Sequence, residues 1–351
     1  KLSNPKWKPD FGPADLNADA GATVIGMRDF LIAYNINLNT KDHRLATDIA
    51  FELRESGRSK RTPHPDSPNL LDGEIVRNED GSPVKMKGLF KDVKGVGWYI
   101  QTFKRAQISF NFNNYKVSAV HDVFDEACRL AEERGIRVTG SELVGLVPLE
   151  ALLMAGYHYL EKQRRTTGVP ERDLIEVAIQ SLGLNDITPF EPEEKIIEYA
   201  VGKSAGKLMS CTTTDFVDEL STNSPAPGGG SVSALAGSLG AALSSMVAAL
   251  THENKEWLAL KPEMDKIGIK AQKIKDRLSF LVDEDTKAFN KLMVANRLSS
   301  GNDDEKSERA SAIRQANEYA IEIPLEVAML CSRVIDLTKV LVEKGNPNSI
   351  S

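Results

Sequence analysis

The hydrophobic pattern of the chain changes once, and this change divides the sequence into two parts of different secondary structure. Between residues 21 and 140, short runs rich in β-branched and aromatic residues alternate with amphipathic helical segments. Beyond about residue 212 the pattern keeps helical spacing and predicts no strand. The boundary falls in the small, polar stretch 201–214. A chain of 351 residues is long enough for two domains, because a domain typically holds about 100–200 residues.

The first part predicts the element order βαββαβ, which is the split-βαβ or ferredoxin-like layout. The predicted elements are, in order, a strand at 24–38 that Gly26–Arg28 can interrupt, a helix at 40–57, strands at 97–101 and 107–112, a helix at 120–134 and a strand at 136–140. Thr40 can cap the first helix through its side-chain oxygen. The segment 61–83 is rich in Pro and Asp and predicts a surface insertion. Further helices are predicted at 149–162 and 173–182.

The second part predicts an all-α bundle of four helical segments, at 215–221, 231–251, 262–298 and 304–344. Pro324 lies inside the last segment and predicts a kink or a division there. The segment 231–251 carries no charge over about the length of a bilayer span. Its many serine, alanine and glycine residues weaken its hydrophobicity, so we expect a buried helix and no membrane span. The predicted fold class is therefore an α+β ferredoxin-like lobe followed by an all-α helical bundle.

Composition argues against several classes of function. The formal net charge is −6, which gives no general reason to expect nucleic-acid binding. The 3 cysteines and 5 histidines are scattered, without the spacing of a zinc site or a disulfide framework. We therefore expect reduced thiols, a cytoplasmic location and no metal. One basic cluster is either a solvated face or a binding surface for an anionic substrate tail, and it comprises Lys85, Lys87, Lys91, Lys94, Lys104 and Arg105.

Two predicted strands each carry amide side chains on a single face. Asn35 and Asn37 share one face of the first strand, because successive side chains of a strand alternate. Gln107 and Asn111 share one face of another strand. Asparagine is depleted in strands, so these faces suit hydrogen bonding to a polar, flat ligand, although a merely solvated face fits as well. Arg28, a few residues upstream, can hold a carboxylate through its bidentate guanidinium.

Glycines mark two further segments. After a short strand, the glycines of 140–148 allow close approach of the backbone to a ligand, or the segment forms a plain loop. The run Gly228–Gly230 follows two prolines and leads directly into a helix, which favours a helix start over a flexible linker. Free backbone N–H groups at such a start form a natural anion site. Small residues at every fourth position of that helix predict close helix packing or a subunit interface.

An acidic cluster lies within the third helical segment of the second part. Asp285 falls on the apolar stripe of that helix, four residues from both Leu281 and Phe289. Asp283 and Glu284 point further toward the polar side. Burial raises the pKa of a carboxyl group, and a raised pKa suits a general acid near neutral pH. A structural Asp paired with a neighbour is the alternative.

Ordered motifs carry a resemblance that covers nearly the whole chain. The first part resembles the C-terminal subdomain of glutamate formiminotransferase through Lys94-Gly-Val-Gly-Trp-Tyr99, Gly140-Ser-Glu-Leu-Val-Gly-Leu-Val-Pro148 and the segments 10–13, 21–38, 106–109 and 187–201. The second part is similar to the cyclodeaminase domain through Ser224-Pro-Ala-Pro-Gly-Gly-Gly-Ser231 and the segments 285–289 and 345–346. The chain thus resembles the formiminotransferase–cyclodeaminase family. The resemblance places the transferase subdomain at 1–205 and the cyclodeaminase domain at 212–351.

The resemblance implies a two-step folate reaction of histidine degradation. A formimino group passes from N-formiminoglutamate to tetrahydrofolate, a co-substrate that is expected to be polyglutamated. The second domain then closes the ring to 5,10-methenyltetrahydrofolate and expels ammonia. Asp285 matches the family's catalytic Asp and is expected to protonate the departing amine, after first accepting the N10 proton. The residues expected to bind substrate or folate are Arg28, Asn35, Asn37, Gln107, Asn111, Gly228, Gly229, Gly230 and Ser231.

The resemblance also carries expectations about assembly and completeness. It implies a homo-oligomer, a ring-like octamer, without a metal. The family's transferase has its catalytic His in an N-terminal subdomain, which we expect to be missing here, and the cyclodeaminase domain is expected to stop short of its last helices. An alternative is therefore a non-catalytic fragment that binds folate or supports assembly.

Overall fold

The computed structural model describes residues 5–15, 17–19, 21–67, 69–202, 208–224 and 226–349. Residues 203–207, inside the predicted boundary between the two parts, lie outside the described residues, as does Pro225 of the glycine-rich motif. The first part is a lobe of mixed strands and helices, which we call the sheet lobe (residues 32–200). The second is the helical lobe (residues 213–344).

The sheet lobe is built around a four-stranded antiparallel sheet. Its elements are β1 (Ile32–Leu38), α1 (His43–Leu53), β2 (Arg58–Ser59), β3 (Lys85–Met86), β4 (Val93–Ile100), β5 (Arg105–Phe112), α2 (Val120–Glu133), β6 (Val138–Val144), α3 (Leu149–Lys162), α4 (Glu171–Leu182), α5 (Pro192–Lys195) and α6 (Ile197–Ala200). The sheet has the strand order β4-β5-β1-β6, and α1 and α2 connect its strands. This order brings the two amide-bearing strands, β1 and β5, together in the middle of the sheet.

One face of the sheet is buried under the helices. The residues of β1 that point to this face, from Ile32 to Leu38 at every second position, have no exposed surface. On β4, Gly97 faces the same way, and a Cβ built there would lie 2.1 Å from the backbone nitrogen of Thr47 in α1. Because β4 touches the helix backbone directly, only glycine fits at this position. Trp98, the next residue, therefore points to the opposite face, which we call the open face.

A buried ion-pair network anchors the insertion between α1 and β4. Asp48 has no exposed surface and accepts hydrogen bonds from Arg58 Nη1 at 2.6 Å and Arg134 Nε at 2.7 Å. Arg58 opens the β2–β3 hairpin, whereas Arg134 follows α2. The predicted surface insertion is therefore tied to the core at its root, while its side chains are mostly exposed or half-buried.

The helical lobe consists of one short and three long helices. They are α7 (Thr213–Leu220), α8 (Gly229–Glu253), α9 (Lys261–Asn296) and α10 (Asp303–Lys344), and a 3-10 helix at Lys255–Leu260 connects α8 to α9. No strand occurs among the described residues of this lobe, as the sequence predicted. The small residues of α8 allow α9 to pack closely against it. The hydroxyl of Ser238, for example, donates to the carbonyl oxygen of Lys275 on α9 at 3.1 Å.

By length and a mean hydropathy of 1.6, α8 is the one described helix that could cross a membrane. In the structure it packs between α9 and α10, and buried positions such as Ala234, Ala241 and Ala248 line one side of it.

A small seam joins the two lobes. The carboxylate of Asp265 on α9 accepts hydrogen bonds from the backbone N–H of Thr167 at 2.7 Å and from the hydroxyl of Thr166 at 3.0 Å. Ser245 on α8 donates to the carbonyl oxygen of Gly168 at 3.0 Å. The loop after α3 is therefore held against the start of α9 and the middle of α8.

Several predicted elements begin or end at other residues in the structure, most clearly the first strand and the first helix. The strand predicted at 24–38 begins only at Ile32, and upstream residues such as Val24 and Met27 are almost fully exposed. No described strand pairs with residues 24–31, and a strand without a partner has unsatisfied backbone groups. The first helix runs from His43 to Leu53 instead of 40–57, and its N-cap is Asp42.

The sequence predicted a kink or a division at Pro324, and the division does not occur. The helix α10 continues through Pro324, which removes one backbone donor. Ile323 and Val327, on either side, are buried against the other long helices. We infer that this packing holds both halves of α10 in one helix.

Candidate active sites

The register of the sheet places the predicted amide residues in adjacent rows on the open face. Asn37 pairs with Gln107 and Asn35 pairs with Ser109 across β1 and β5, and Trp98 of β4 extends the first row beyond Gln107. Asn111 belongs to this face and is exposed. The predicted amide side chains therefore do lie on one face of the sheet.

A chain of hydrogen bonds runs along the first row. The indole N–H of Trp98 donates to Gln107 Oε1 at 3.1 Å, Gln107 Nε2 donates to Asn37 Oδ1 at 2.6 Å, and Asn37 Nδ2 donates to Asp186 Oδ2 at 2.9 Å. Asn37 and Gln107 have no exposed surface. They were predicted to contact a ligand, but in the structure they bond to each other and to their neighbours in the row. Exposed groups on this row are limited to its ends, and the most exposed is Trp98.

Asp186 is a residue that sequence reasoning missed. Its Oδ2 also accepts from Arg105 Nη1 at 2.7 Å and from the Thr139 hydroxyl at 2.9 Å. One signal pointed toward it, because Gly140 was predicted to allow a close backbone approach. A Cβ at Gly140 would lie 2.4 Å from Asp186 Cβ, so the close approach is to a residue of the chain itself.

The remaining predicted residues of the sheet lobe are spread more widely. Asn35 is buried and donates to Glu142 Oε2 at 3.3 Å, and Glu142 is a second residue that the sequence did not single out. Arg28 is exposed and lines a shallow cavity of about 350 Å³ formed by residues 28–31. This segment precedes Ile32, which pairs with Phe112, so Arg28 lies beyond the end of the sheet nearer Asn111.

The second candidate site is the contact between the start of α8 and the middle of α9. The helix begins at Gly229, with Gly228 as its N-cap. The backbone N–H of Ser231 donates to Asp285 Oδ2 at 2.9 Å, and the Ser231 hydroxyl lies 3.1 Å from the same oxygen. A Cβ at Gly230 would lie 2.1 Å from Asp285 Oδ1, so the carboxylate rests directly against the glycine backbone. The glycine-rich helix start and Asp285 are therefore in direct contact.

The predicted order of burial within the acidic cluster is wrong. Asp283 and Glu284 are more than nine-tenths buried, whereas Asp285 is only half-buried. Asp283 accepts hydrogen bonds from the backbone N–H groups of Leu208 and Met209, which cover this side of α9. The apolar stripe alone could not reveal this cover, because it comes from a segment far away in the sequence.

Glu284 is held by α10 and by its own helix. It accepts hydrogen bonds from Lys287 Nζ at 2.7 Å and from the hydroxyl of Tyr319. Burial opposes the charged form, but these two hydrogen bonds outweigh it and keep the pKa of Glu284 below its usual value. Burial and the Glu284 carboxylate together raise the pKa of Tyr319 to about 12. Glu284 and Tyr319 therefore form a structural pair beside Asp285.

One group in the described residues could supply three metal-ligating atoms, and it lies where α2 meets α3. Atoms of His121, Asp122 and His158 lie within 4.8 Å of one another. The two imidazole rings stack with centroids 4.3 Å apart and planes 28° from parallel. Ring-nitrogen lone pairs lie in these nearly parallel planes and do not converge on one point. His158 Nε2 is also 2.9 Å from Asp125 Oδ2, so the arrangement is that of a hydrogen-bonded stack.

Comparison with known proteins confirms the family resemblance in both lobes. A family model described as "Formiminotransferase domain" matches residues 33–202, and one described as "Formiminotransferase-cyclodeaminase" matches residues 212–351. The formimidoyltransferase-cyclodeaminase of Mus musculus is 37% identical over 354 aligned residues, which cover 100% of this chain and 60% of the mouse protein. The chain therefore spans less than two-thirds of the length of this relative.

Two shorter relatives each match one lobe. A methenyltetrahydrofolate cyclohydrolase of Methylorubrum extorquens is 36% identical over 140 residues, 40% of this chain and 67% of that protein. A glutamate formimidoyltransferase of Thermoplasma acidophilum is 32% identical over 160 residues, 46% of this chain and 43% of that protein. Since family models match both lobes and the mouse relative aligns along the whole chain, the chain belongs to the formimidoyltransferase-cyclodeaminase family.

Proposed function

We propose that the chain is part of a bifunctional folate enzyme of histidine degradation. Its sheet lobe supplies one wall of the site that transfers a formimino group from N-formiminoglutamate to tetrahydrofolate. Its helical lobe converts 5-formiminotetrahydrofolate to 5,10-methenyltetrahydrofolate and ammonia. The observation that carries the proposal is the Asp285 carboxylate, which Ser231 and the Gly230 backbone fix at the start of α8.

Cyclodeamination needs one group that first takes and then returns a proton. Nitrogen N10 of the folate attacks the carbon of the protonated formimino group, and the N10 proton passes to the Asp285 carboxylate. Asp285 then returns this proton to the amine nitrogen as the carbon–nitrogen bond breaks and ammonia leaves. The Ser231 N–H holds Oδ2, so the second oxygen is oriented by a fixed contact. The geometry thus favours a base that becomes the acid, which is the cycle that the family resemblance implies.

The helix start suits the anionic parts of a folate. The first backbone N–H groups of α8 have no partners within the helix, and a 25-residue helix directs its positive dipole end toward this site. A Cβ added at Gly228 or Gly229 would have no neighbouring atom within 4 Å, so space remains beside the helix start. We therefore keep Gly228, Gly229, Gly230 and Ser231 as the proposed substrate-binding residues of this lobe.

A second candidate function for the helical lobe is hydrolysis of 5,10-methenyltetrahydrofolate. The Methylorubrum relative, whose name gives that reaction, is 36% identical over 140 residues of the chain. The two reactions share the methenyl carbon and a proton transfer, so Asp285 could serve either. Supplying each folate separately to the full chain distinguishes them. Formation of methenyltetrahydrofolate from the formimino compound supports cyclodeamination. Consumption of added methenyltetrahydrofolate by reaction with water supports hydrolysis.

The decisive test uses Asp285→Asn in the full chain. We expect the cyclodeaminase rate to fall about 100-fold to 10,000-fold, the usual contribution of a positioned acid–base group. Asp276→Asn is the matched control, because Asp276 lies on the same helix with an exposed side chain. If Asp285→Asn keeps the full rate, the assignment is wrong. If the unaltered chain turns over neither folate, it is the non-catalytic binding or assembly fragment instead.

The proposal extends to fold and assembly. The strand order β4-β5-β1-β6 with two connecting helices supports a ferredoxin-like assignment for the sheet lobe. Two exposed apolar stripes support a homo-oligomer, and they comprise Leu239, Leu243, Met246 and Leu250 on α8 and Ile321, Leu325 and Met329 on α10. A cytoplasmic location fits the free thiols of Cys128 and Cys331. Light scattering of the purified chain tests the oligomer, and we expect a mass above that of one chain.

A further inference from the structure

We propose that Trp98 is the stacking surface for the flat pterin ring of the folate on the open face, and that Asp186 fixes its position through Asn37 and Gln107. Asp186, Asn37 and Gln107 are thus positioning residues, and Trp98 is the residue that touches the ligand. The inference rests on the proposed folate function of the sheet lobe and adds the ring-binding residue to it.

Trp98 exposes an aromatic ring that a folded protein would usually bury. The residue is 43% exposed, although its indole N–H is bonded to a fully buried Gln107. The hydrogen bond occupies the polar edge of the indole and leaves its faces available. Val96, two residues along the strand on the same face, is 52% exposed and continues the apolar surface. Such a surface suits a flat heteroaromatic ring, because aromatic groups attract each other in offset stacks.

The amide groups in this row of hydrogen bonds can take only one orientation. The Asp186 carboxylate has only acceptor oxygens, and Arg105 and Thr139 donate hydrogen bonds to it. Asn37 must therefore turn its NH₂ group toward Asp186 and its oxygen toward Gln107. Gln107 must in turn present its own oxygen to Trp98. The position of the indole follows from a carboxylate three side chains away.

The same strand offers a cation for the other end of the ligand. Lys94 lies on the open face four residues before Trp98 and is exposed. At a rise of about 3.3 Å per residue, the two positions are about 13 Å apart. A ligand with a flat ring at one end and carboxylates at the other, as in a folate, matches this separation. Lys94, a member of the basic cluster identified in the sequence, is therefore the residue that we expect to bind the carboxylate end of the ligand.

The first experiment isolates the signal of Trp98. The chain has 3 tryptophans, so Trp7→Phe and Trp257→Phe together leave Trp98 as the single fluorophore. Titration with 5-formyltetrahydrofolate is expected to quench its emission in a saturable way. Trp98→Leu in the unaltered chain is expected to weaken the affinity about tenfold by calorimetry, whereas Trp98→Phe, which keeps a ring, retains most of it.

The second experiment tests the positioning role with a reversed hydrogen-bond chain. Asp186→Asn lets the amides turn, so we expect lower anisotropy of Trp98 emission in the ligand-free protein and about tenfold weaker binding. Gln107→Glu combined with Asp186→Asn moves the carboxylate from position 186 to position 107, next to Trp98. Asn37 can then turn its amide and satisfy both neighbours, and Trp98 keeps an acceptor. This double variant is expected to recover the anisotropy and most of the affinity, which a merely structural Asp186 would not predict.

The outcomes separate this inference from the proposed function. If calorimetry detects 5-formyltetrahydrofolate binding that neither quenches Trp98 nor weakens in Trp98→Leu, the ring lies elsewhere and only the inference is overturned. Equal ligand-free anisotropy in Asp186→Asn and in the parent protein overturns the positioning role. If the unaltered chain does not bind the folate at all, the inference and the proposed function both fall.

Discussion

Adding a single methyl group at Gly230 should lower the cyclodeaminase activity of the helical lobe while the lobe stays folded. In Gly230→Ala the new Cβ would lie 2.1 Å from Asp285 Oδ1, 2.5 Å from its Cγ and 2.7 Å from Oδ2. Ordinary contact begins at 3.4 Å, so Oδ1 must move by 3.4 − 2.1 = 1.3 Å. A misplacement of about 1 Å at a catalytic group can lower a rate about 100-fold. We therefore expect a loss of this size in cyclodeaminase kcat.

Stability should change much less than activity. The displaced carboxylate loses the hydrogen bond from the Ser231 N–H, and a bond to a charged group contributes about 1.5–3 kcal/mol. Alanine instead of glycine in a helix restores up to about 1 kcal/mol. The net effect on the free energy of unfolding should be no more than about 2 kcal/mol, since these two contributions oppose each other.

Gly240→Ala is the matched control for this test. It introduces the same methyl group on the same helix, where the nearest atom would be a Val334 methyl carbon at an ordinary 3.5 Å. The assay follows the absorbance of methenyltetrahydrofolate in both variants, with thermal unfolding by circular dichroism alongside. If Gly230→Ala keeps the rate of Gly240→Ala, the Asp285 carboxylate does not act from its position against the Gly230 backbone.

Three further predictions concern stability. Asp48→Asn removes the fully buried carboxylate that Arg58 and Arg134 share and leaves them only Glu52, so thermal or denaturant unfolding should reveal a loss of about 3–5 kcal/mol. Asp265→Ala removes the acceptor of the loop Thr166–Gly168, and calorimetry should resolve two unfolding transitions where the parent protein has overlapping ones. Burial lowers the pKa of His121 in the folded protein below 6.5, so the unfolded chain binds more protons and stability should fall as pH drops below about 6.5, by at most about 1.4 kcal/mol per pH unit. Denaturant unfolding at pH 7 and at pH 5.5 measures how much the free energy of unfolding changes with pH. This change should be smaller in His121→Gln than in the parent protein. The control is His43→Gln, which replaces an exposed histidine and should behave as the parent protein does.

Periodicity predicted most of the elements because their cores are local in sequence. The helix α3, for example, has the predicted bounds of Leu149–Lys162, and α2 differs from its prediction by one residue at its end. The predictions failed where a distant partner decides the structure. The segment 24–31, for example, has strand-like composition but no described strand beside it.

The candidate sites divide along the same line. Asp285 and the glycine-rich helix start could be singled out as local patterns, but the apolar stripe predicted Asp285 to be the most buried residue of its cluster, whereas Asp283 and Glu284 are more buried. Asp186 could not be predicted, because nothing in its own surroundings distinguishes it from a surface loop residue. Its role depends on Asn37, which is 149 positions away along the chain. The shared face of the amide side chains was predicted correctly, but their burial was not.

The glycines of the two sites show how the chain brings carboxylates to fixed positions. Gly140 faces Asp186 and Gly230 faces Asp285, and in both cases an added Cβ would lie within 2.5 Å of the acidic side chain. Gly97 differs, because its missing side chain makes room for the backbone of α1. Substitution by alanine at Gly97 should therefore destabilise the sheet lobe, whereas at Gly140 it should also displace Asp186 and loosen Trp98. Comparing the ligand-free anisotropy of Trp98 in the two variants at equal folded fraction tests this distinction. If Gly140→Ala leaves that anisotropy as high as Gly97→Ala does, Asp186 does not control the indole.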